Sequence, residues 1–203
     1  MTSMLLWDVD TQVDFLDPAG RLYVPGAEKI LPNLRRLTMW AGQYHLPVIS
    51  SACAHEPGDP ELQTYGQHCM VGTPGQQKVA ESLLPNRFVV PNRPIQLPSL
   101  KGFEQVIIEK QAFDFATNPN SREVVRQFEG TPAIVLYGVV TEICVATAAR
   151  SLFAISRKLW LVRDAIAELD APKAESFIAE FTSRGGRLAT TSQVIASPNA
   201  VVA

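Results

Sequence analysis

The chain has 203 residues, the length of one domain, and a chain of that size can bury roughly 70% of its unfolded surface around one core. Eighteen basic against twenty acidic side chains give a formal net charge of −2, with no basic run of the kind that grips nucleic acid or an anionic membrane, so small, nearly neutral partners are expected. With 46% apolar and 19% charged residues, the composition excludes a disordered or collagen-like chain.

The first strand is predicted over Met4–Val9. Its apolar run is broken by Asp8 and is too short for a secretory h-region, and no stretch approaches the ~20 apolar residues of a membrane span, so a cytoplasmic protein is expected. Ile30, Leu31, Leu34 and Leu37 recur at helical spacing within Ala27–Tyr44, where Pro32 is tolerated in the first turns. A second strand follows over Leu46–Ser51. Cys53–Ser99 then forms a long excursion rich in proline and glycine, with a short helix near Gln76–Leu84. Such a segment in a compact domain is either a functional loop or a surface insertion, and His55 and His68 within it favour the former. Four more strands are predicted over Gln105–Glu109, Ala133–Gly138, Lys158–Arg163 and Arg187–Thr190. Helices are predicted over Asn120–Phe128, Thr141–Ala154 and Pro172–Ser183, the last ended by Gly185 and Gly186. This alternation predicts an α/β fold, a three-layer α/β/α arrangement with a mostly parallel six-stranded, Rossmann-like sheet, in one domain over 1–203.

In open α/β sheets, ligands bind beyond the carboxyl ends of the strands, which singles out residues just past them. Asp10 follows the first strand, Lys110 the third, and Cys144 lies one helical turn after the fourth. Three cysteines, Cys53, Cys69 and Cys144, are an odd number and point to reduced thiols rather than a disulfide framework. Thr141 can cap the helix that follows Gly138-Val139-Val140, which puts Cys144 near its third position, where amides and helix dipole favour a thiolate and could receive an oxyanion. A small buried residue packing helix on sheet is the competing reading. Strand alternation sends Asp8 and Asp10 to the same face, so spacing does not choose between them. Lys110 alone reads equally well as a solvated strand end.

Taken in order, four motifs resemble the isochorismatase-like cysteine hydrolases, the family that includes nicotinamidases and related amidases. They are Asp10-Thr11-Gln12-Val13-Asp14-Phe15, His68-Cys69-Met70-Val71-Gly72-Thr73-Pro74-Gly75, Glu109-Lys110, and Gly138-Val139-Val140-Thr141-Glu142-Ile143-Cys144-Val145. The resemblance runs from Leu5 to about Ser192. It implies Asp10 as base, Lys110 as charge-stabilising partner and Cys144 as nucleophile. It also implies a cis peptide at Val139-Val140, an oxyanion hole from the Val140 and Cys144 amides, and Phe15 as a wall of the substrate pocket.

The family's nicotinamidases hold a metal with an Asp-x-His pair and a later His. Here the pair reads Cys53-Ala54-His55, with His68 as the later ligand. The aspartate and an aromatic at Ala54 are missing, but cysteine is itself a zinc ligand, so Cys53, His55 and His68 form a candidate site for zinc or another divalent metal with an open position. The covalent chemistry itself requires no cofactor. The resemblance implies strand order 3-2-1-4-5-6, which starts Lys110 two strand spacings, ~10 Å, from the first strand. Its side chain must lean inward. The expected activity is hydrolysis of a C–N bond in a small-molecule amide through a thioester, by a homo-oligomer, since members commonly form dimers or tetramers. Two other readings compete: vinyl-ether hydrolysis of the isochorismatase type, which Cys144 argues against, and a non-catalytic ligand- or metal-binding protein. A thiol-redox role lacks a Cys-x-x-Cys motif.

Overall fold

The computed structural model describes residues 4–128, 130, 133–156 and 158–198; the ends of the predicted domain, 1–3 and 199–203, lie outside them. Its centre is a seven-stranded sheet, parallel throughout, in the order β3-β4-β2-β1-β5-β6-β7. The strands are β1 (Met4–Val9), β2 (Val48–Cys53), β3 (Arg87–Val90), β4 (Gln105–Lys110), β5 (Ala133–Val139), β6 (Leu159–Ala167) and β7 (Arg187–Ala189). Every residue of β1, β2 and β5 is buried, as expected of strands covered on both faces. The six predicted strands occupy their expected order, and β3 adds a seventh at the edge. It is four residues long and half exposed, inside the proline-rich excursion, so it lacks the continuous apolar run that marked the others.

The helices are α1 (Val13–Leu16), α2 (Leu31–Gln43), α3 (Leu62–Tyr65), α4 (Ser121–Gln127), α5 (Ala146–Leu152), α6 (Ala171–Ser183) and α7 (Thr191–Ala196). A single 3-10 turn over Ala27–Ile30 leads into α2, which accounts for the longer predicted span. Two apolar clusters form the layers. Leu34, Leu37 and Ala41 of α2 pack with Val194 of α7 against Leu6, Val135 and Tyr137. Val124, Ala148, Leu152, Phe177 and Phe181 pack against Trp7, Ile108, Leu136 and Leu161. Near Gln76–Leu84 there are two short 3-10 turns, Pro74–Gln76 and Ala80–Ser82, rather than a helix.

The strand order reverses between β1 and β5, and their last residues define the rim where a site forms. There Gly138, at φ 120°, lies against Val9 so closely that a Cβ would stand 2.0 Å from the Val9 carbonyl oxygen. Only glycine permits that approach.

Candidate active site

β1 ends in Val9, and Asp10 turns the chain off the sheet at φ 49°, a left-handed conformation that Asp tolerates better than most residues. Its carboxylate is thereby placed over the carboxyl end of the sheet, fully buried. Oδ1 accepts from the Ser51 hydroxyl at 2.7 Å and Oδ2 pairs with Lys110 Nζ at 2.8 Å. Asp8 goes elsewhere: it pairs with Lys78 at 2.9 Å and accepts from Thr11 and Ser50. Burial still pushes its carboxyl above the usual range, against the pull of Lys78.

Lys110 closes the distance that the strand order opens. It stands opposite Cys53 in the β2–β4 register, and its side chain reaches past β2. Nζ lies 3.2 Å from Cys53 Sγ, 3.9 Å from Cys144 Sγ and 2.8 Å from Asp10. Burial works against the ammonium form, but Asp10 and the two sulfurs outweigh it and hold the pKa well above the ordinary lysine value.

Cys144 sits in a π-helical turn over Thr141–Val145, in which the Val145 N–H donates to the Val140 carbonyl at 3.0 Å, ahead of α5. Thr141 does not cap this helix; its hydroxyl donates to the Ala167 carbonyl at 2.9 Å, and Val140 holds the cap position. The peptide between Val139 and Val140 is cis. Burial pushes the Cys144 thiol well up, Lys110 pulls it down, and Asp10, its hydrogen-bonding partner, pushes it up again. Position at the start of a helix favours a thiolate, whereas burial in the folded site opposes one.

Phe15 is buried and lines the cavity in front of Cys144, while its ring lies 5.5 Å from that of His68. Phe15 thus packs in the core and at the same time lines this cavity.

On the other side of Lys110, the donor atoms of Cys53, His55 and His68 lie within 4.8 Å of one another. His55 Nδ1 meets Asp59 Oδ2 at 3.0 Å and His68 Nδ1 meets the Gly66 carbonyl at 3.0 Å. Both partners only accept, so each Nδ1 carries the proton and each Nε2 presents a lone pair. Both Nε2 atoms are buried without a hydrogen-bond partner. Burial pulls the His55 pKa below 6.5, although Asp59 opposes it, and keeps the ring neutral. Glu61 Oε1 stands 3.8 Å from His55 Nε2 and 3.6 Å from His68 Nε2. An anionic oxygen facing two lone pairs is unfavourable until a cation lies between them, so the donor set fits a divalent metal. With Glu61 the set has four members, not the three read from the sequence.

Sequence reasoning also missed the residue that fixes Cys53. Gln12 accepts from the Cys53 N–H at 2.7 Å and donates to the Cys53 carbonyl at 2.8 Å and to the Gln76 carbonyl at 2.7 Å. Tyr65, Phe113, Ile143 and Leu169 complete the cavity with Leu22, Glu61 and Val140. They come from separate segments of the chain; Val140 and Ile143 belong to the motif around Cys144, and no local pattern marks the others.

A family model described as the Isochorismatase domain matches residues 4–193. No protein of curated function matches the chain. Among solved structures it is similar to the pyrazinamidase of Pyrococcus horikoshii in complex with zinc, at 23% identity over 93% of this chain and 99% of that one, with a TM-score of 0.75. It is also similar to N-carbamoylsarcosine amidase from Thermoplasma acidophilum, at 25% identity over 93% and 96%, with a TM-score of 0.71. An isochorismatase-like hydrolase from Alkaliphilus metalliredigens shares 21% identity over 96% and 98%, with a TM-score of 0.77.

Proposed function

The chain belongs to the isochorismatase family, and from that membership we propose that it is a cysteine amidohydrolase, with Cys144 as nucleophile, Asp10 as proton carrier and Lys110 as the cation that holds Asp10 in place. The observation that carries this reading is the buried convergence of one carboxylate, one ammonium and one thiol at the switch point of the sheet, with Lys110 Nζ 2.8 Å from Asp10 and 3.9 Å from Cys144.

The chemistry proceeds in two stages, acylation of the thiol and hydrolysis of the thioester. As Cys144 Sγ forms its bond to the amide carbon, Asp10 takes the thiol proton and the carbonyl electron pair moves onto oxygen. The Val140 and Cys144 amides receive that oxyanion. Asp10 then returns the proton to the nitrogen, the C–N bond breaks, and ammonia or an amine leaves a thioester. Water attacks the thioester carbon, Asp10 accepts its proton, the C–S bond breaks, and the proton returns to sulfur as the acid departs. Cys53, His55, His68 and Glu61 would hold a zinc-class ion, whose chemistry is Lewis-acid anchoring of a substrate donor atom beside this centre.

The test is ammonia release from a panel of small amides, with intact-mass and peptide mapping of a quenched reaction. An acyl adduct on Cys144, absent from Cys53 and Cys69, is expected. Wild-type turnover by Cys144→Ala would sink the mechanism and leave a binding protein in its place.

A further inference from the structure

A second cavity lies inside the layer between the sheet and the helices α4 and α5, and no residue of the site around Cys144 lines it. Leu5 and Trp7 of β1, Ile49 of β2 and Ile134 of β5 form its floor, and Val125 and Leu152 reach it from α4 and α5. Strand geometry dictates this floor. Leu5 and Trp7 alternate onto one face of β1, and in register Ile49 stands beside Trp7 and Ile134 beside Leu5. The volume is about 70 Å³.

One donor belongs to this largely apolar wall. Trp7 is 1% exposed, and its indole Nε1 has no hydrogen-bond partner among the described residues. Its ring is held in place by Phe115, with centroids 4.5 Å apart. The other polar side chain of the lining, Ser156, is engaged: Oγ accepts from the Lys158 N–H at 3.1 Å. A buried donor left unmatched is costly. Water matches it poorly, because a buried water needs roughly two to four polar partners. An apolar molecule with one acceptor suits both the walls and the indole. An engineered apolar cavity of ~150 Å³ takes benzene, so about half that volume takes roughly three or four non-hydrogen atoms. Val125 and Ile155 also line a surface groove of about 470 Å³, and Ile155 is 45% exposed. Entry from that groove therefore needs side-chain rotation, not movement of the sheet.

We infer that this cavity is a binding site for a neutral molecule of three or four non-hydrogen atoms with one hydrogen-bond acceptor, a short ketone or alcohol, which accepts from Trp7 Nε1 while its carbons fill the space beside Ile49, Ile134 and Leu152. The site is independent of the amidohydrolase reading and stands or falls without it.

The test is a titration of the ¹⁵N-labelled protein by nuclear magnetic resonance. The chain has three tryptophans, and loss of one indole N–H signal in Trp7→Phe assigns the resonance of Trp7. Acetone is the probe, and xenon, which has no acceptor, is the control. Acetone is expected to move the Trp7 indole proton downfield along a saturating curve, with a Kd on the order of 1–10 mM, and to leave the Trp40 and Trp160 indoles in place. Xenon is expected to perturb the methyl groups of Ile49, Ile134 and Leu152 without that downfield move. Val125→Phe, at a half-buried position, fills the cavity from α4 and is expected to raise the acetone Kd at least about tenfold. Ile155→Phe does the same from the exposed rim and replaces it where Val125→Phe does not fold. A linear, equal shift of all three indoles overturns the inference, as does a xenon response with no acetone response at Trp7. Silence of the lining toward both probes overturns it too. Unchanged acetone affinity in a folded filling variant places the acetone elsewhere and has the same consequence.

Discussion

Asp8, in β1, and Asp10, just past its end, are two positions apart, yet their partners give them different work. Asp8 is neutralised by Lys78 within the layer beside β2, whereas Asp10 is held by Ser51 and Lys110 at the rim that carries Cys144. Alternation along a strand cannot make that distinction; the left-handed turn at Asp10 does. The same contacts refine what substitution will do. Asp10→Asn removes the proposed proton acceptor and is expected to lower kcat by roughly 10²–10⁴-fold, but it also leaves Lys110 buried without its counter-ion. The variant should therefore lose about 3–5 kcal/mol of stability by urea titration. Adding Lys110→Met removes the stranded charge, so the double variant is expected to recover stability without recovering turnover. Recovery of both would show that Asp10 acts only through the fold. Asp8→Asn serves as the control: comparable destabilisation by stranding Lys78, with turnover per folded molecule preserved.

Where β1 ends, its neighbour β2 continues for two residues, and the Gln12 side chain takes the place of the missing strand. Its amide pairs with both the N–H and the carbonyl of Cys53, as a backbone neighbour would. It thereby sets Cys53 Sγ against Lys110 and the two histidines. Gln12→Ala leaves those buried groups and the Gln76 carbonyl without partners, and at about 1–3 kcal/mol per orphaned group a loss of at least about 2 kcal/mol is expected in denaturant titration. A shift within error would mean that water replaces the clamp. The elements legible from sequence are those whose cause is local. β1, β2, β4 and β5 are apolar runs between turn signals, and α2 carries an apolar stripe. β3 escaped because its four residues sit among prolines at an edge. α7 was legible and overlooked: Thr190 and Gln193 form a reciprocal capping box. Asp10, Lys110 and Cys144 were readable from four ordered motifs. Glu61, Tyr65 and Phe113 were not, because a loop residue's partner is set by tertiary closure, which leaves no periodic trace.

At the scale of the molecule, the excursion between β2 and β4 is tied to the rest of the fold at several points, among them a bridge between Gln12 and Lys78, the ion pair of Lys78 with Asp8 and the amide of Cys69 donating to Asp14, while a bridge between His55 and Met70 closes it on itself. Gly75 packs on that same Asp14 carboxylate, where a Cβ would lie 2.2 Å away. His55 and Cys53 belong to the sheet end of this excursion and Glu61 and His68 to its outer part, so an ion shared by all four would pin the loop to the sheet in the native state alone. Zinc at a hundred times its dissociation constant adds about 2.7 kcal/mol, which for a chain of this length corresponds to roughly 5–10 °C in Tm. Protons compete with the ion for the same imidazole nitrogens. In the metal-free protein the His55 ring titrates below its ordinary 6.5, chiefly through burial. As pH falls below that value the unfolded chain takes up a proton before the folded one does, so stability is lost between the unfolded and folded pKa values. Zinc should therefore raise Tm at pH 7.5, with an increment that shrinks by pH 5.5, and His55→Ala should bind less metal by elemental analysis and show little increment at either pH. Equal metal content in wild type and His55→Ala would remove His55 from the site. An increment unchanged between the two pH values would place the ion on groups other than these imidazoles.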